Sequence, residues 1–422
     1  MAQRGIREFD AKRMIAQFLP NFTSVLNYSG RVALVAPTTR PRQFKADNPW
    51  IETTQLVVKP DQLFGKRGKH NLILLDAQLS VAQEWVQARM NKEVVVSGIK
   101  GTLTHFLVEP FIPHDRENYV SIRSHREGDT ICFSVAGGIH IEENWDQVSL
   151  IQVPVLSDID SINLEMLVPK ELGHLQKIVI DFIKGLYKFY RELGFTYLEI
   201  NPFNLSAEGV TPLDVVARLD DTAAFECSKY WGEIEFPSPF GRTPTSEEKY
   251  ITELDEKTGA SLKLTVLNPE GRIWLMVAGG GASVIYTDTV VDLGHVKELA
   301  NYGEYSGDPS MEETREYART ILDLMTRKAD PGGKCLLIGG GIANFTDVAK
   351  TFTGIIAALR EYQKKILDHN IKIFVRRGGP NYQEGLENMR ALGGELGIPI
   401  EVFGPDTHMT KIVPMAMRSL GL

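Results

Sequence analysis

A basic, glycine-containing stretch in the first half of the chain has residue types that bind phosphate. In "VVKPDQLFGKRGK", Lys59 lies on a β-rich run, and Lys66, Arg67 and Lys69 surround two glycines. Successive backbone N–H groups in such a loop form a concavity for an anion, and the basic side chains add charge. The stretch suits a flap over a triphosphate, although on its own it is equally typical of a basic surface hairpin.

Carboxylate and amide side chains follow at predicted strand ends. Glu109 ends the apolar run "FLVEPFI" before a proline, where a hinge could take an adenine-like base on backbone groups and offer the carboxylate to a donor. Glu199, Asn201 and Asp214, in "YLEINPF" and "PLDVVARLD", fall on neighbouring predicted strands. Hard oxygen ligands of this kind suit Mg²⁺ held between protein and phosphates. Each feature is weak alone, but their order along the chain is specific.

The second half has glycines after three predicted strands, at residues 279–281, 339–341 and 378–379. These stretches match neither a Walker loop nor a GxGxxG fingerprint. The run "LLIGGGIANFTDVAKTF" predicts a strand, a glycine turn and a helix whose start offers free N–H groups to an anion. Asn344 and Thr346 could instead cap that helix, and spacing alone leaves both interpretations open.

Arg376 and Arg377 end the predicted strand "IKIFVRR". Side chains alternate in direction along a strand, so one of the two can point to a site at the strand end. Arginine is suited to bidentate binding of carboxylates. Together with the glycine turns, the pair favours a small polyanion as the ligand.

The composition is that of an ordinary globular protein. The chain has 422 residues, a formal net charge of −8 and 24% charged residues, which at ~150 residues per domain predicts two or three domains. The negative charge argues against a nucleic-acid surface. The N-terminal residues lack an apolar signal core and no run approaches 18 apolar residues, so we expect no membrane span. Three cysteines without a CxxC pair suit the reducing cytoplasm.

A stretch rich in proline and glycine, "WGEIEFPSPFGRTPTSEEKY", predicts a linker between domains. We place the boundary there, between residues 1–240 and 241–422. Before it, short antiparallel strands and a long amphipathic helix at residues 170–193 predict an α+β domain. After it, strands alternate with helices, which predicts an α/β domain with a parallel sheet whose strand ends bind ligands.

Long motifs of the chain resemble a known family. The first domain is similar to the ATP-grasp fold of the β subunit of ADP-forming succinyl-CoA ligases. The resemblance to the amino-terminal portion of the ATP-citrate lyase family is far closer and covers essentially the whole chain. It rests on "LVVKPDQLFGKRGK", "VEPFIPH", "EENWD", "FTYLEINPF", "WGEIEFPSPFGR", "GASLKLTVLNPEGRIWLMVAGGGASVIY", "ELANYGEYSG", "GGGIANFTDVAKTF" and "IFVRRGGPNYQEGL".

The resemblance implies an ATP-grasp domain followed by a Rossmann-like or flavodoxin-like citrate-binding domain, and it implies roles for individual residues. ATP or ADP would contact Lys59, Arg67, Gly68, Glu109, Pro110, Ile112, Glu117 and Asp214, with Pro110 and Ile112 contributing backbone groups. Mg²⁺ would be held by Asn201 and Asp214, and a weaker cation contact would involve Asp255, Thr258 and Ala260. Citrate would contact Gly307, Asn344, Thr346, Tyr362 and Arg377. Tyr362 lies about five turns beyond Asn344 by helical count, so its role is open.

The resemblance also implies that the enzyme is incomplete in this chain. The phosphorylated histidine and the citryl-CoA-cleaving domain of the family lie in another portion, and none of the nine histidines here sits in a glycine loop like that of the nucleophile. The chain would be the small subunit of a hetero-oligomer, as in plants and in bacteria that run a reductive citric acid cycle. Coenzyme A would bind mainly to the larger partner. Alternatives are a citryl-CoA synthetase or succinyl-CoA-ligase β subunit, and a non-catalytic citrate- or nucleotide-sensing subunit.

Overall fold

The computed structural model of the chain describes residues 3–143, 145–257 and 259–422. The chain divides into two compact units, Met1–Thr243 and Pro244–Leu422. Each unit has its own buried apolar core.

The first unit combines antiparallel strands with helices, as its sequence pattern predicts. Its strands are β1 (Gln3–Gly5), β2 (Ala33–Val35), β3 (Leu56–Pro60), β4 (Leu74–Ala77), β5 (Glu93–Val96), β6 (Ile99–Thr102), β7 (Phe106–Pro110), β8 (Asn118–His125), β9 (Gly128–Ser134), β10 (Ser149–Pro154), β11 (Phe195–Ser206), β12 (Gly209–Pro212) and β13 (Val215–Asp220). Its helices are α1 (Glu8–Phe18), α2 (Pro41–Asp47), α3 (Leu79–Arg89), α4 (Leu175–Glu192) and α5 (Ala224–Trp231).

Two antiparallel sheets of this unit carry the residues expected to bind nucleotide. In the described residues, one sheet has the strand order β2-β7-β3-β4, and the larger one has the order β1-β13-β11-β8-β9-β10 with β12 beside β11. Helix α4 covers the larger sheet with a buried stripe that includes Val179, Phe182 and Ile183. The helix is shorter than the predicted range 170–193, because a 3₁₀ turn ends at Gly173, whose φ is 59°.

The second unit alternates strands and helices. Its strands are β14 (Ser261–Val266), β15 (Ile273–Ala278), β16 (Asn301–Ser306), β17 (Lys334–Gly340), β18 (Ile371–Arg376) and β19 (Ile400–Phe403). Its helices are α6 (Ser246–Lys257), α7 (Gly280–Asp292), α8 (Met311–Met325), α9 (Val348–Asp368), α10 (Tyr382–Leu396) and α11 (Ile412–Ser419).

The second sheet has the order β14-β16-β15-β17-β18-β19 in the described residues. Only β14 runs antiparallel to its neighbour there, and the other pairs are parallel. Both faces are covered by helices, so consecutive residues of β15 enter opposite cores: Trp274 packs with α8 and α9, and Leu275 packs with α7 and α11. The predicted fold class, an α+β domain followed by a parallel-sheet α/β domain, is confirmed.

One local prediction in this unit is wrong. Gly339 and Gly340 do not form a turn at a helix start, because both belong to the last residues of β17. Helix α9 begins only at Val348, and the side chain of Asp347 caps it by accepting a hydrogen bond from the Lys350 amide. Neither Asn344 nor Thr346 is the cap. Residues 341–347 form a loop between strand and helix.

Candidate functional site

A large cavity in the first unit brings the expected nucleotide residues together. Its volume is about 1100 Å³, and its walls come from β3, β7, β11 and the loops that follow β3 and β9. The predicted residues that line it are Lys59, Arg67, Gly68, Glu109, Pro110, Ile112, Glu117, Asn201 and Asp214. Lys59 and Asp214, the first and last residues of this set, are 155 positions apart in the chain and line the same cavity.

Two cations at the base of this cavity share two carboxylates. The Lys59 ammonium lies 2.7 Å from Glu8 Oε1 and 3.0 Å from Asp214 Oδ1. The Arg67 guanidinium lies 2.9 Å from Glu8 Oε2 and 2.6 Å from Asp214 Oδ1. Arg67 also donates to the Pro60 carbonyl, which fixes the basic loop to the end of β3.

A third cation, Lys12, completes the cluster. Its ammonium group lies 2.9 Å from Glu8 Oε1 and 2.5 Å from Glu109 Oε2, and its side chain is fully buried. Burial alone would raise the pKa of Glu8, but the positive charges of Lys12, Lys59 and Arg67 hold it well below its usual value. Burial would lower the pKa of Lys59, but Asp214, Glu109 and Glu8 raise it. The cations therefore favour the ionised form of Glu8, and the carboxylates favour the charged form of Lys59.

The position of the Glu109 carboxylate corrects one expectation. The sequence suggested that this carboxylate would offer itself to a donor on an adenine-like base. Instead it accepts from Lys12, and it lies 3.2 Å from the Lys59 ammonium. What remains for a base at this hinge is the backbone of Pro110 and Ile112, together with the side chains around them.

Oxygen ligands suitable for Mg²⁺ stand beside the cations. Asn201 on β11 and Asp214 before β13 are adjacent, because the backbone N–H of Asn201 donates to the backbone carbonyl of Asp214 at 2.9 Å. Glu199 is nearby on β11 and accepts from the Tyr197 hydroxyl. The carboxylate and amide oxygens fit Mg²⁺, which takes few protein ligands and completes its shell with water and phosphate. In the described residues, no group of three or more His, Cys, Asp or Glu is placed to hold a metal by itself.

In the second unit, the carboxyl ends of four neighbouring strands meet at one edge of the sheet. Gly307 follows β16, the segment 279–281 follows β15, Gly341 follows β17 and Arg377 follows β18. The registers place them side by side, since Ala278 is opposite both Tyr305 and Gly340. The predicted common edge is therefore correct, although its glycines are not all in turns.

The two arginines at this edge have different roles. Arg376 donates to the carbonyls of Gly340, Pro405 and Thr407, so it holds backbone segments together. Arg377 donates to the Gly341 carbonyl at 2.7 Å, and in the described structure its buried Nε has no hydrogen-bond partner. Arg377 is the arginine with capacity left for an anion.

The glycines of β17 make room for large side chains. A Cβ atom at Gly339 would collide with the ring of Tyr286, and one at Gly340 would lie 2.8 Å from Arg377 Nη1. Gly341 has no atom within 4 Å of such a position. The run of three glycines thus contains two positions that pack against side chains and one open position.

Other residues assigned by the resemblance lie elsewhere. Asn344 and Thr346 are on the loop after β17, near the edge. Tyr362 is on α9, roughly 21 Å along the helix axis from Val348 at 1.5 Å per residue, and it lines a surface cleft with Tyr250 and Arg327. The structure does not bring Tyr362 together with Asn344.

The residues assigned to the weaker cation contact are only partly described. Asp255 accepts from the Leu262 amide at 2.7 Å and from the Lys263 ammonium at 2.5 Å. Ala260 lies against Gly307. Thr258 is outside the described residues. The cation contact stays a prediction.

Sequence reasoning missed Glu8 and Lys12. Neither residue belongs to a stretch that the sequence analysis assigned to a site. The signal that was available is the i,i+4 spacing of Glu8 and Lys12 next to the buried positions Ala11 and Ile15. Only the neighbouring strands show that this face of the helix is covered.

The fold and the cavity define an ATP-grasp protein that carries a second, parallel-sheet domain. A family model for the ATP-citrate synthase ATP-grasp domain matches residues 2–231, and one for ATP citrate lyase citrate-binding matches residues 242–419. The chain belongs to the ATP-citrate synthase family, also called ATP citrate lyase. It is an alpha-type chain of that enzyme.

Individual relatives agree along the full length. The chain is 51% identical to the ATP-citrate synthase alpha chain protein 2 of Oryza sativa subsp. japonica, over 99% of both chains. It is 49% identical to the ATP-citrate synthase of Homo sapiens over 99% of this chain, but only 38% of that protein. A solved structure of ATP citrate lyase from Methanothrix soehngenii, in complex with citrate and coenzyme A, has a TM-score of 0.90 and 56% identity, covering 99% of this chain and 100% of that one. In the described part of the chain, no helix is long and apolar enough to cross a membrane.

Proposed function

We propose that the chain is the MgATP- and citrate-binding subunit of a two-subunit ATP-citrate lyase. It supports phosphorylation of a histidine on a larger partner subunit and transfer of that phosphate to citrate. Citryl phosphate then reacts with coenzyme A to give citryl-CoA, which the partner cleaves to acetyl-CoA and oxaloacetate. The other products are ADP and phosphate.

The observation that carries this proposal is the cation pair in the nucleotide-sized cavity. Lys59 and Arg67 lie on either side of Asp214 Oδ1, at 3.0 and 2.6 Å, in a cavity that also contains Asn201. Phosphoryl transfer depends mainly on positioning and on stabilising negative charge. Asn201 and Asp214 would hold Mg²⁺, which neutralises phosphate charge when bound. Lys59, Arg67 and the backbone near Gly68 would bind the phosphates.

The carboxyl edge of the second sheet is the proposed citrate site. Arg377 has an unpartnered buried Nε, and arginine binds carboxylates with more than one N–H group. Asn344 and Thr346 lie on the loop that follows the neighbouring strand β17, and Gly307 follows β16, two strands further on beyond β15. These groups offer more polar partners than a simple dicarboxylate requires, which favours citrate over succinate. The relative from Methanothrix soehngenii, with citrate and coenzyme A bound, supports the same choice.

A separate partner subunit accounts for the rest of the reaction. The similarity covers only 38% of the length of the human relative, so other parts of that protein lie outside it. The alpha chain of Oryza sativa is matched over 99% of its length, which supports a two-subunit arrangement. The partner would carry the phosphohistidine, the citryl-CoA lyase domain and most of the coenzyme A site.

Substrate-dependent ADP release by the reconstituted pair tests the substrate. We expect ADP release with citrate and coenzyme A, and none above background with succinate. Activity with succinate but not with citrate would identify an acid–CoA ligase subunit instead.

Partner phosphorylation distinguishes a catalytic subunit from a sensor. Asp214→Ala should abolish transfer of the γ-phosphate of ATP to the partner, because the variant lacks the carboxylate shared by Lys59, Arg67 and the proposed Mg²⁺. Lys188→Ala, at an exposed ion pair with Asp160, is the control and should behave as the wild type. If Asp214→Ala left phosphorylation intact, the catalytic assignment would fail.

A further inference from the structure

The two carboxylates that share Lys59 and Arg67 differ in their surroundings. The Glu8 side chain is 2% exposed and contacts Lys12, Lys59 and Arg67 with its two oxygens. The Asp214 side chain is 29% exposed, lines the cavity, pairs with Lys59 and Arg67, and lies against the Glu8 carboxyl group. Glu8 is thus enclosed by its partners, whereas Asp214 is at the surface of the cavity.

The backbone on both sides of Asp214 is held by the same cluster. Glu8 Oε1 accepts from the Val215 amide at 3.1 Å, and the Leu213 carbonyl accepts from Lys59 at 2.9 Å and from Lys12 at 2.8 Å. The main chain at this point is therefore fixed, and the side chain of Asp214 is the part that can turn.

The charges of the cluster balance only while Asp214 takes part. With all six groups ionised, Lys12, Lys59 and Arg67 supply three positive charges, and Glu8, Glu109 and Asp214 supply three negative charges. If Asp214 turns away, the remaining groups have one uncompensated positive charge next to the cavity. Glu8 still holds Lys59 and Arg67 in place, so that charge is presented at a fixed position.

We propose that Glu8 is a positioning residue of the nucleotide site. It is the permanent counter-ion of Lys59 and Arg67, and it allows Asp214 to leave these cations for Mg²⁺ when the phosphates arrive. The inference rests on the proposed nucleotide-binding function. It assigns helix α1 a part in coupling Mg²⁺ to nucleotide binding.

The effect of Glu8→Gln follows from this exchange. In the variant, Asp214 is the remaining carboxylate on Arg67 and a main partner of Lys59, so its release to Mg²⁺ costs more. Nucleotide without Mg²⁺ does not need that release, and the cluster has one more positive charge to attract it. The gain in affinity that Mg²⁺ gives should therefore fall, while affinity without Mg²⁺ is kept or increased.

The test is calorimetric titration of the full chain with ADP, in excess Mg²⁺ and in EDTA. We expect Mg²⁺ to strengthen ADP binding by the wild type, and the ratio of the two dissociation constants to fall at least tenfold in Glu8→Gln. Asp129→Asn is the matched control: Asp129 is a buried carboxylate of the same unit, bonded to Ser124, Tyr187 and Arg191, and the ratio should not change. Glu8→Asp keeps the charge and should give an intermediate ratio, so it serves if Glu8→Gln does not fold.

Two results would overturn the inference. The first is an unchanged ratio in Glu8→Gln and Glu8→Asp, and equal weakening with and without Mg²⁺ would then indicate a merely structural role. The second is a wild type whose ADP affinity does not depend on Mg²⁺. A wild-type chain that binds no nucleotide under either condition would instead contradict the proposed nucleotide site itself. The two failures are therefore distinguishable.

Discussion

Glu8 and Lys59 form a buried ion pair, with 2.7 Å between Oε1 and Nζ, although 51 residues separate them in the chain. Glu8 begins helix α1, and Lys59 lies near the end of β3. Each side chain is almost fully buried, so neither charge is stabilised by water. The pair is stable because further charged groups complete the cluster on both sides.

Loss of Lys59 should weaken nucleotide binding strongly. In Lys59→Met the three carboxylates Glu8, Glu109 and Asp214 face only Lys12 and Arg67, so the cluster becomes negative and repels phosphate. A hydrogen bond to a charged group contributes roughly 1.5–3 kcal/mol, which corresponds to a rise in the dissociation constant of about 10- to 150-fold. Titration with ADP in the presence of Mg²⁺ measures it. Lys188→Met is the control, and an affinity of Lys59→Met equal to that of the control would contradict the assignment.

Alanine substitutions at two adjacent glycines should differ in their effect on citrate binding. In Gly340→Ala the added Cβ lies 2.8 Å from Arg377 Nη1 and displaces the guanidinium. The citrate concentration that gives half-maximal activity should therefore rise at least about tenfold. In Gly341→Ala nothing lies within 4 Å of the Cβ, and citrate half-saturation should stay within about twofold. ADP release at varied citrate concentration compares the two. Equal behaviour of the variants would show that Arg377 does not bind citrate from its described position.

Tyr362 gives a test of the roles that the resemblance assigns. It lies on α9 far from Val348, in a cleft with Tyr250 and Arg327. If the citrate site is at the sheet edge of this unit, Tyr362→Phe should change the KM for citrate less than about twofold, whereas Arg377→Lys should raise it more than about tenfold, because lysine loses bidentate binding. A large rise in the KM for citrate in Tyr362→Phe would indicate that Tyr362 belongs to the citrate site and that the site is arranged differently.

Asp61 should make stability depend on pH. It accepts from the amides of Glu8 and Phe9, and burial together with the nearby Glu8 charge raises its pKa to about 6. Because the pKa of the folded state is the higher one, the contribution to stability is present at low pH and is lost as pH rises through about 6. Relative to Asp61→Asn, the wild type should lose up to roughly 3 kcal/mol between pH 4 and pH 7. Urea unfolding of both proteins across this range measures the difference, and parallel curves would refute it.

The sequence predicted those parts of the site that depend on the order of elements. The order of Lys59, Asn201 and Asp214 along the chain, together with the resemblance to the family, assigns them to one site. In the second unit, the alternation of strands and helices predicts that residues 279–281, 339–341 and 378–379 lie on one edge of the sheet, since parallel strands share a carboxyl edge.

The remaining features depend on contacts across the chain, which local patterns do not contain. The partner of the Glu109 carboxylate is Lys12, 97 residues away, and no spacing rule links the two. The end of β17 was misjudged because a glycine in a strand and a glycine in a turn look alike in sequence. Here Gly339 and Gly340 leave space for Tyr286 and Arg377, and both of those side chains come from other elements.

The most direct test of the proposed function is to co-purify the chain with its larger partner and to assay oxaloacetate formation. We predict a hetero-oligomer that forms oxaloacetate only when citrate, coenzyme A and MgATP are all present, and that loses this activity in Asp214→Ala. A pair that forms no oxaloacetate from citrate but stops at citryl-CoA would instead be a citryl-CoA synthetase. Oxaloacetate formation that does not require this chain, or does not require ATP, would contradict the account.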